Sequence, residues 1–161
     1  MKKFFFLFLF SIGVQCWALA QPPPDEQLAQ QYYQNKEFDK ALDYYERLYN
    51  KVSPQQYYPY YFSCLLETKD YKKAEKICKK QLKQNPQMLQ YMVDQGTVYA
   101  KSEELDKAKT TWEEAIKSIK QDDQVFAVGN SFILLNQLDL ALATFQKGRR
   151  ITQNNYPYFF E

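Results

Sequence analysis

Two cysteines, Cys64 and Cys78, are the residues in the body of this chain whose type could do covalent chemistry. A thiol becomes a working nucleophile when a neighbouring base takes its proton, and imidazole is the usual base. The 161-residue chain has no histidine, so the commonest general base and metal ligand is missing. Glycine totals four, and no glycine-rich phosphate loop appears. The aspartates and glutamates cluster at turns and on helix surfaces, where solvation is their ordinary state. No catalytic, cofactor-binding or metal-binding residue is therefore assigned. An oxidising compartment would permit a disulfide between Cys64 and Cys78. They fall on adjacent antiparallel helices but several residues out of level, which strains the limit of about 7 Å on Cα separation. Two core-filling thiols are the preferred reading.

The elements that carry these residues follow from a repeat. Phe38-Asp39-Lys40-Ala41 recurs as Tyr71-Lys72-Lys73-Ala74, Leu105-Asp106-Lys107-Ala108 and Leu138-Asp139-Leu140-Ala141, at intervals of 33, 34 and 33 residues. That period suits a supersecondary unit stacking on copies of itself. Four residues after each alanine stand Tyr45, Cys78, Trp112 and Phe145, and nine before it stand Tyr32, Leu65, Tyr99 and Phe132. Twelve before it stand Ala29, Phe62, Gly96 and Gly129. Spacings of three, four and seven define helical faces. A short polar run interrupts each unit and folds its second helix back on its first, giving an αα-hairpin. Prolines in "VSPQQYYP" and "KQNPQ" separate successive units. The pattern predicts helices over roughly 25–35, 38–51, 58–68, 71–84, 88–101, 105–119, 122–135 and 138–152.

The ends read differently. Lys2 and Lys3, the apolar run Phe4 to Phe10, and Ala18-Leu19-Ala20 have the layout of a secretory signal peptide over 1–20, cut before Gln21. The apolar run is shorter than the ~20 residues of a spanning helix, so no membrane insertion is expected after cleavage. Loss of Lys2 and Lys3 takes the formal charge from +2 to about zero, which leaves no overall basic footprint for nucleic acid. Residues 21–24 read as an extended, proline-rich lead-in.

The phased alanines, aromatics and glycines resemble the tetratricopeptide repeat (TPR) family, of an exported bacterial type. Gly96, Tyr99, Ala108, Trp112 and Ala115 carry the resemblance best, followed by Gly129, Phe132, Ala141 and Phe145. It spans 25–153, with repeats at about 25–54, 55–87, 88–121 and 122–153 and an incomplete further repeat beginning at 154–161. Phe62, Cys78 and the absence of glycine from all four mid-repeat turns depart from the family pattern. The fold implied is an all-α, right-handed α-solenoid of antiparallel helix pairs.

The resemblance implies a non-catalytic scaffold or adaptor, here in the cell envelope, that binds a peptide or protein partner in its concave groove. By family spacing the groove holds Glu26, Gln30, Tyr33 and Gln34, then Ser63, Leu66 and Glu67. It continues with Val93, Thr97, Ala100 and Lys101, then Phe126, Asn130, Ile133 and Leu134. Asn130 matches a position where some members hold a bound peptide's backbone. The alternative is an extracytoplasmic sensing or docking module at the N-terminal end of a longer sensor or enzyme. About two-thirds of the 14 tyrosines are expected between helices rather than on a recognition surface. Leu140, Leu142 and Phe145 on the last full helix imply an uncapped edge, and hence self-association.

Overall fold

The computed structural model describes residues 24–151. The expected leader at 1–20 and the incomplete repeat at 154–161 lie outside the described residues, as do residues 21–23 of the lead-in. Eight helices fill the rest: α1 (Pro24–Gln34), α2 (Phe38–Lys51), α3 (Pro54–Glu67), α4 (Tyr71–Gln84), α5 (Gln90–Lys101), α6 (Leu105–Ser118), α7 (Asp122–Leu134) and α8 (Leu138–Ile151). The described residues contain no strand, and the fold is an all-α solenoid of TPR-like helix pairs.

Two helix starts differ from the sequence expectation, and Pro24, assigned to the lead-in, already belongs to α1. α3 begins at Pro54 rather than at 58. Ser53 is its N-cap, accepting a hydrogen bond from the Gln56 amide at 3.3 Å, and Pro54 occupies the first turn, where its missing N–H costs nothing. The proline that separates the first two units thus also starts the second, four residues earlier than expected. α5 opens at Gln90 rather than 88, because Pro86 to Leu89 complete the turn out of α4.

Every first helix closes in the same way. Lys36, Lys69, Glu103 and Asn136 take positive φ of 60°, 60°, 67° and 55°. The next amide then reaches back to the helix: Glu37 to the Tyr32 carbonyl, Asp70 to Leu65, Glu104 to Tyr99 and Gln137 to Phe132, at 2.8–2.9 Å. This is the left-handed C-terminal cap that normally uses glycine. It satisfies orphan carbonyls and aims the second helix back along the first. At the second turn, the Asp70 carboxylate also accepts from the Lys73 amide at 3.1 Å, capping α4.

The pairs stack in two layers. In the layer of first helices, the Tyr33 hydroxyl donates to Ser63 Oγ at 2.9 Å, joining α1 to α3, and the Tyr58 hydroxyl donates to the Asp94 carboxylate at 2.8 Å, joining α3 to α5. In the layer of second helices, Gln81 Nε2 donates to the Tyr49 hydroxyl at 2.7 Å, and Lys147 Nζ donates to the Ile116 carbonyl at 2.8 Å. Ala29, Ala41, Ala74, Ala108 and Ala141 are all buried, so these axes approach closely where the period predicted.

The core divides along α5. Tyr91 and Val98 belong to an aromatic-rich cluster with α1–α4, including Tyr45, Tyr49, Tyr57, Tyr58 and Tyr61. Leu89 and Val93 belong to a second cluster with Val125, Val128 and Phe132. Most of the tyrosines of "DYYERLY" and "QQYYPYYF" are therefore spent on packing. Tyr60 remains 45% exposed although it stacks on Tyr45 at 5.2 Å.

Candidate partner-binding face

The residues assigned to a groove do not share one fate. Glu67, Lys101 and Asn130 are exposed, and each sits on a first helix. Ser63 and Leu66 on α3 are half-buried. Phe126 is 49% exposed and meets the Phe145 ring edge-on at 6.4 Å. Ile133 is 39% exposed and Leu134 is 88% exposed. Gln30 and Gln34 on α1 are exposed, whereas Glu26 and Ala100 are half-buried.

Tyr33 is held rather than presented. Its ring packs edge-on against Phe38, Tyr45 and Tyr60 at 5.5–5.9 Å, and its hydroxyl is committed to Ser63. It joins α1 to α3 and is half-buried.

Val93 and Thr97 are corrections. Family spacing assigns both to the groove, but Val93 is 0% exposed and Thr97 5%. α7 packs on α5, and Val93 enters the core with Val125, Val128 and Phe132. The Val93 carbonyl accepts two further hydrogen bonds, from Trp112 Nε1 at 3.0 Å and Thr97 Oγ1 at 2.9 Å. A first-helix position thus stays open only where the following first helix leaves it uncovered. In the third repeat the open part reduces to Lys101, with Ala100 beside it.

The thiols face inward. Cys64 and Cys78 are free and fully buried. Burial pushes the Cys64 thiol up to about 12, and burial followed by the nearby Asp94 carboxylate raises Cys78 further. A group that resists forming the thiolate in this way is a poor nucleophile.

One polar cluster escaped the sequence reading. Tyr58, 5% exposed, stacks on Phe62 at 5.6 Å and meets Tyr91 edge-on at 4.8 Å. Its hydroxyl lies 3.3 Å from Cys78 Sγ while donating to Asp94. Phe62 and Cys78 are the two departures from the repeat pattern, and they meet in this cluster through Tyr58. The small thiol leaves room on α4 for the hydroxyl end of Tyr58, and the added ring of Phe62 supports its face. The pattern breaks were the available signal, but nothing in the repeat pairs them with Asp94.

Charge is also unevenly spread. Lys69, Lys72, Lys76, Lys80 and Lys83 are exposed along and beside α4. The small net charge of +2 conceals this row because acidic residues elsewhere offset it.

A stack of antiparallel helix pairs with left-handed turns and a face of exposed first-helix residues defines a TPR-like interaction domain. The chain matches the family model of the middle TPR-like domain of cilia and flagella-associated protein 70 over residues 26–155, and it belongs to that family of TPR-like domains. Among solved structures it is similar to a chain titled MamA AMB-1, with a TM-score of 0.46 and 16% identity, covering 83% of this chain and 74% of that one. No curated protein matches the sequence. Domains of the TPR type are generally non-catalytic scaffolds for protein–protein interaction.

Proposed function

We propose that this protein is a non-catalytic adaptor of the bacterial cell envelope, exported by the leader at 1–20, that holds a protein or peptide partner on the face of its first helices. The observation that carries the reading is the exposure of Glu67, Lys101 and Asn130, one on each of three successive first helices. Half-buried Leu66 and partly exposed Ile133 supply apolar area on the same helices, α3 and α7. Mixed charge with some apolar surface suits an extended peptide or a helix better than a single anionic terminus, since Lys101 is the one cation of the assigned set. The buried, protonated thiols and the lack of histidine support a non-catalytic role.

Photo-crosslinking tests this. A crosslinkable residue is placed at Glu67, Lys101 or, as a control on the second-helix layer, Lys76. A partner trapped from the envelope fraction at Glu67 and Lys101 but not at Lys76 supports the reading. Equal capture at all three positions sinks it. Finding Met1 to Ala20 retained on the envelope-fraction protein by intact mass would remove the export step.

Self-association is the second interaction inferred. Of the edge residues expected from the sequence, Phe145 is a correction, buried at 7% exposure against Gly129, and Leu140 is half-buried. Leu142 is exposed at 49%, and with Leu134 at 88% and Leu138 at 61% it makes an apolar surface of the kind that drives association. Sedimentation velocity of the wild type beside a Leu134→Lys, Leu142→Lys variant is the check. A wild type that stays monomeric as concentration rises excludes it.

A further inference from the structure

α4 presents almost nothing but lysine to solvent. Its exposed residues are Lys72, Lys76, Lys79, Lys80, Lys83 and Gln84. Steps of three, four and seven put the five lysines on one side of the helix, opposite the buried Ala74, Ile77, Cys78 and Gln81. From Lys72 to Lys83, at ~1.5 Å per residue, the strip runs roughly 16 Å. Lys69, exposed in the preceding turn, extends it.

Exposed lysines elsewhere have acids beside them: Lys40 pairs with Glu37, Lys107 with Glu104 and Lys109 with Glu113. On α4 the one acid, Glu75, is taken by Lys79 at 2.6 Å, and Lys80 rests over the Tyr49 ring at 5.2 Å. Among the described residues no carboxylate pairs with Lys72, Lys76 or Lys83. The helix itself opposes this arrangement. Lys72 with Lys76 and Lys76 with Lys80 are like charges four residues apart, which disfavours a helix. The first turn, where the helix dipole favours acids, holds none. A local conflict kept without gain to the fold marks a surface that serves something outside it.

A bilayer, a nucleic acid and an acidic protein segment all carry the complementary charge, and the strip's surroundings separate them. Its exposed residues include no apolar side chain to enter a membrane and no aromatic ring on which a base can stack. The charge is also one helix wide. α2, tied to α4 by the Lys73–Glu46 ion pair at 2.8 Å, exposes Asp39 and Asp43, and α6 exposes Glu113 and Glu114. A flat anionic surface laid across the second-helix layer would meet those acids, whereas a narrow chain along α4 meets lysine over its whole length. We propose that this strip docks an acidic protein segment. Its carboxylates, about 6 Å apart as on a helix with acids at every fourth residue, neutralise Lys72, Lys76, Lys80 and Lys83. The strip lies on the second-helix layer, so this segment is distinct from the partner read at Glu67 and Lys101. A protein trapped at Lys76 and not at those two positions leaves that reading intact.

The probe is a fluorescent helical peptide with glutamate at every fourth position, titrated with the full chain and followed by anisotropy. Binding should weaken as salt rises, since the contacts are exposed charges. The double variant Lys76→Glu, Lys83→Glu should weaken it roughly tenfold, from two attractions lost and two repulsions gained at the strength of exposed ion pairs. Lys109→Glu with Lys117→Glu on α6 makes the same change in net charge and should leave binding unchanged. Without peptide, Lys76→Glu alone should raise the thermal midpoint, because it replaces like-charge contacts with Lys72 and Lys80 by favourable ones. Absence of peptide binding, or equal weakening by the α6 variant, overturns the proposal. So does tighter binding to vesicles of pure phosphatidylglycerol or to a single-stranded oligothymidylate than to the peptide. A thermal midpoint lowered by Lys76→Glu also overturns it, since that lysine would then be satisfied within the chain.

Discussion

Gly96 lies against the Trp112 indole so closely that a β-carbon on it would stand 2.4 Å from both Cδ1 and Nε1 of the ring. The indole is tethered, because its Nε1 donates to the Val93 carbonyl at 3.0 Å, three residues before Gly96 on the same helix. The ring therefore cannot retreat without losing that bond. Gly96→Ala should lower stability, since overpacking of ~1–3 kcal/mol outweighs the ~1 kcal/mol that alanine gains over glycine in a helix. Urea midpoints of Gly96→Ala, Trp112→Leu and the double variant check this. The double variant should be more stable than the sum of the single effects predicts, because the leucine removes the clash.

The same contact shows why part of the fold was legible. Gly96 with Trp112, and Gly129 with Phe145, are local in the sense that one repeat contains both partners. A period of 33 or 34 residues carries such pairs openly. Tyr58 with Asp94 crosses from one repeat to the next and follows no period, so the sequence could show its pattern-breaking neighbours and not the bond. Val93 and Thr97 failed for a related reason. Spacing along one helix identifies a face, but the following first helix decides whether that face stays open, and at α5 it is covered by α7.

The turns offer a stability prediction. Lys36, Lys69 and Glu103 hold φ near 60° without being glycine, a conformation that disfavours ordinary side chains by ~1–2 kcal/mol. Glycine would relieve this but brings a more flexible unfolded chain, at a cost of ~0.5–1 kcal/mol. Lys69→Gly and Glu103→Gly should therefore each raise stability by up to ~1 kcal/mol. Asn136→Gly should gain less, since asparagine tolerates the left-handed region. Thermal midpoints in the order Lys69→Gly above Asn136→Gly confirm the reading, and a drop below wild type at Lys69 contradicts it.

Gln81 and Tyr49 make a second test of how repeats are joined. Gln81 is 0% and Tyr49 2% exposed, and the amide donates to the hydroxyl at 2.7 Å between α4 and α2. Tyr49→Phe leaves that amide donor without its partner in a dry site, which costs ~1–3 kcal/mol. Adding Gln81→Leu to Tyr49→Phe removes the stranded amide and should restore part of the loss. A double-mutant cycle with no coupling between the two would show that the bond contributes nothing beyond packing.

The thiols give a prediction that separates a structural from a catalytic role. Cys64 is fully buried, and burial holds its thiol up at about 12. At pH 8 the thiolate fraction is then ~10³ lower than for an ordinary thiol near 8.5, before any loss of access is counted. Cys78 lies further in the same direction because of burial and the Asp94 carboxylate. Alkylation by iodoacetamide, resolved by peptide mass spectrometry, should be at least ~10³-fold slower at both sites in the native chain than in urea. Because both folded values exceed the unfolded one, the same groups lend stability that is present below the ordinary thiol range and is lost as pH rises above about 9. Native-state labelling of either cysteine at the rate of an unfolded peptide would mean that the thiol reaches solvent as thiolate, and the nucleophile set aside for want of a histidine would have to be reconsidered.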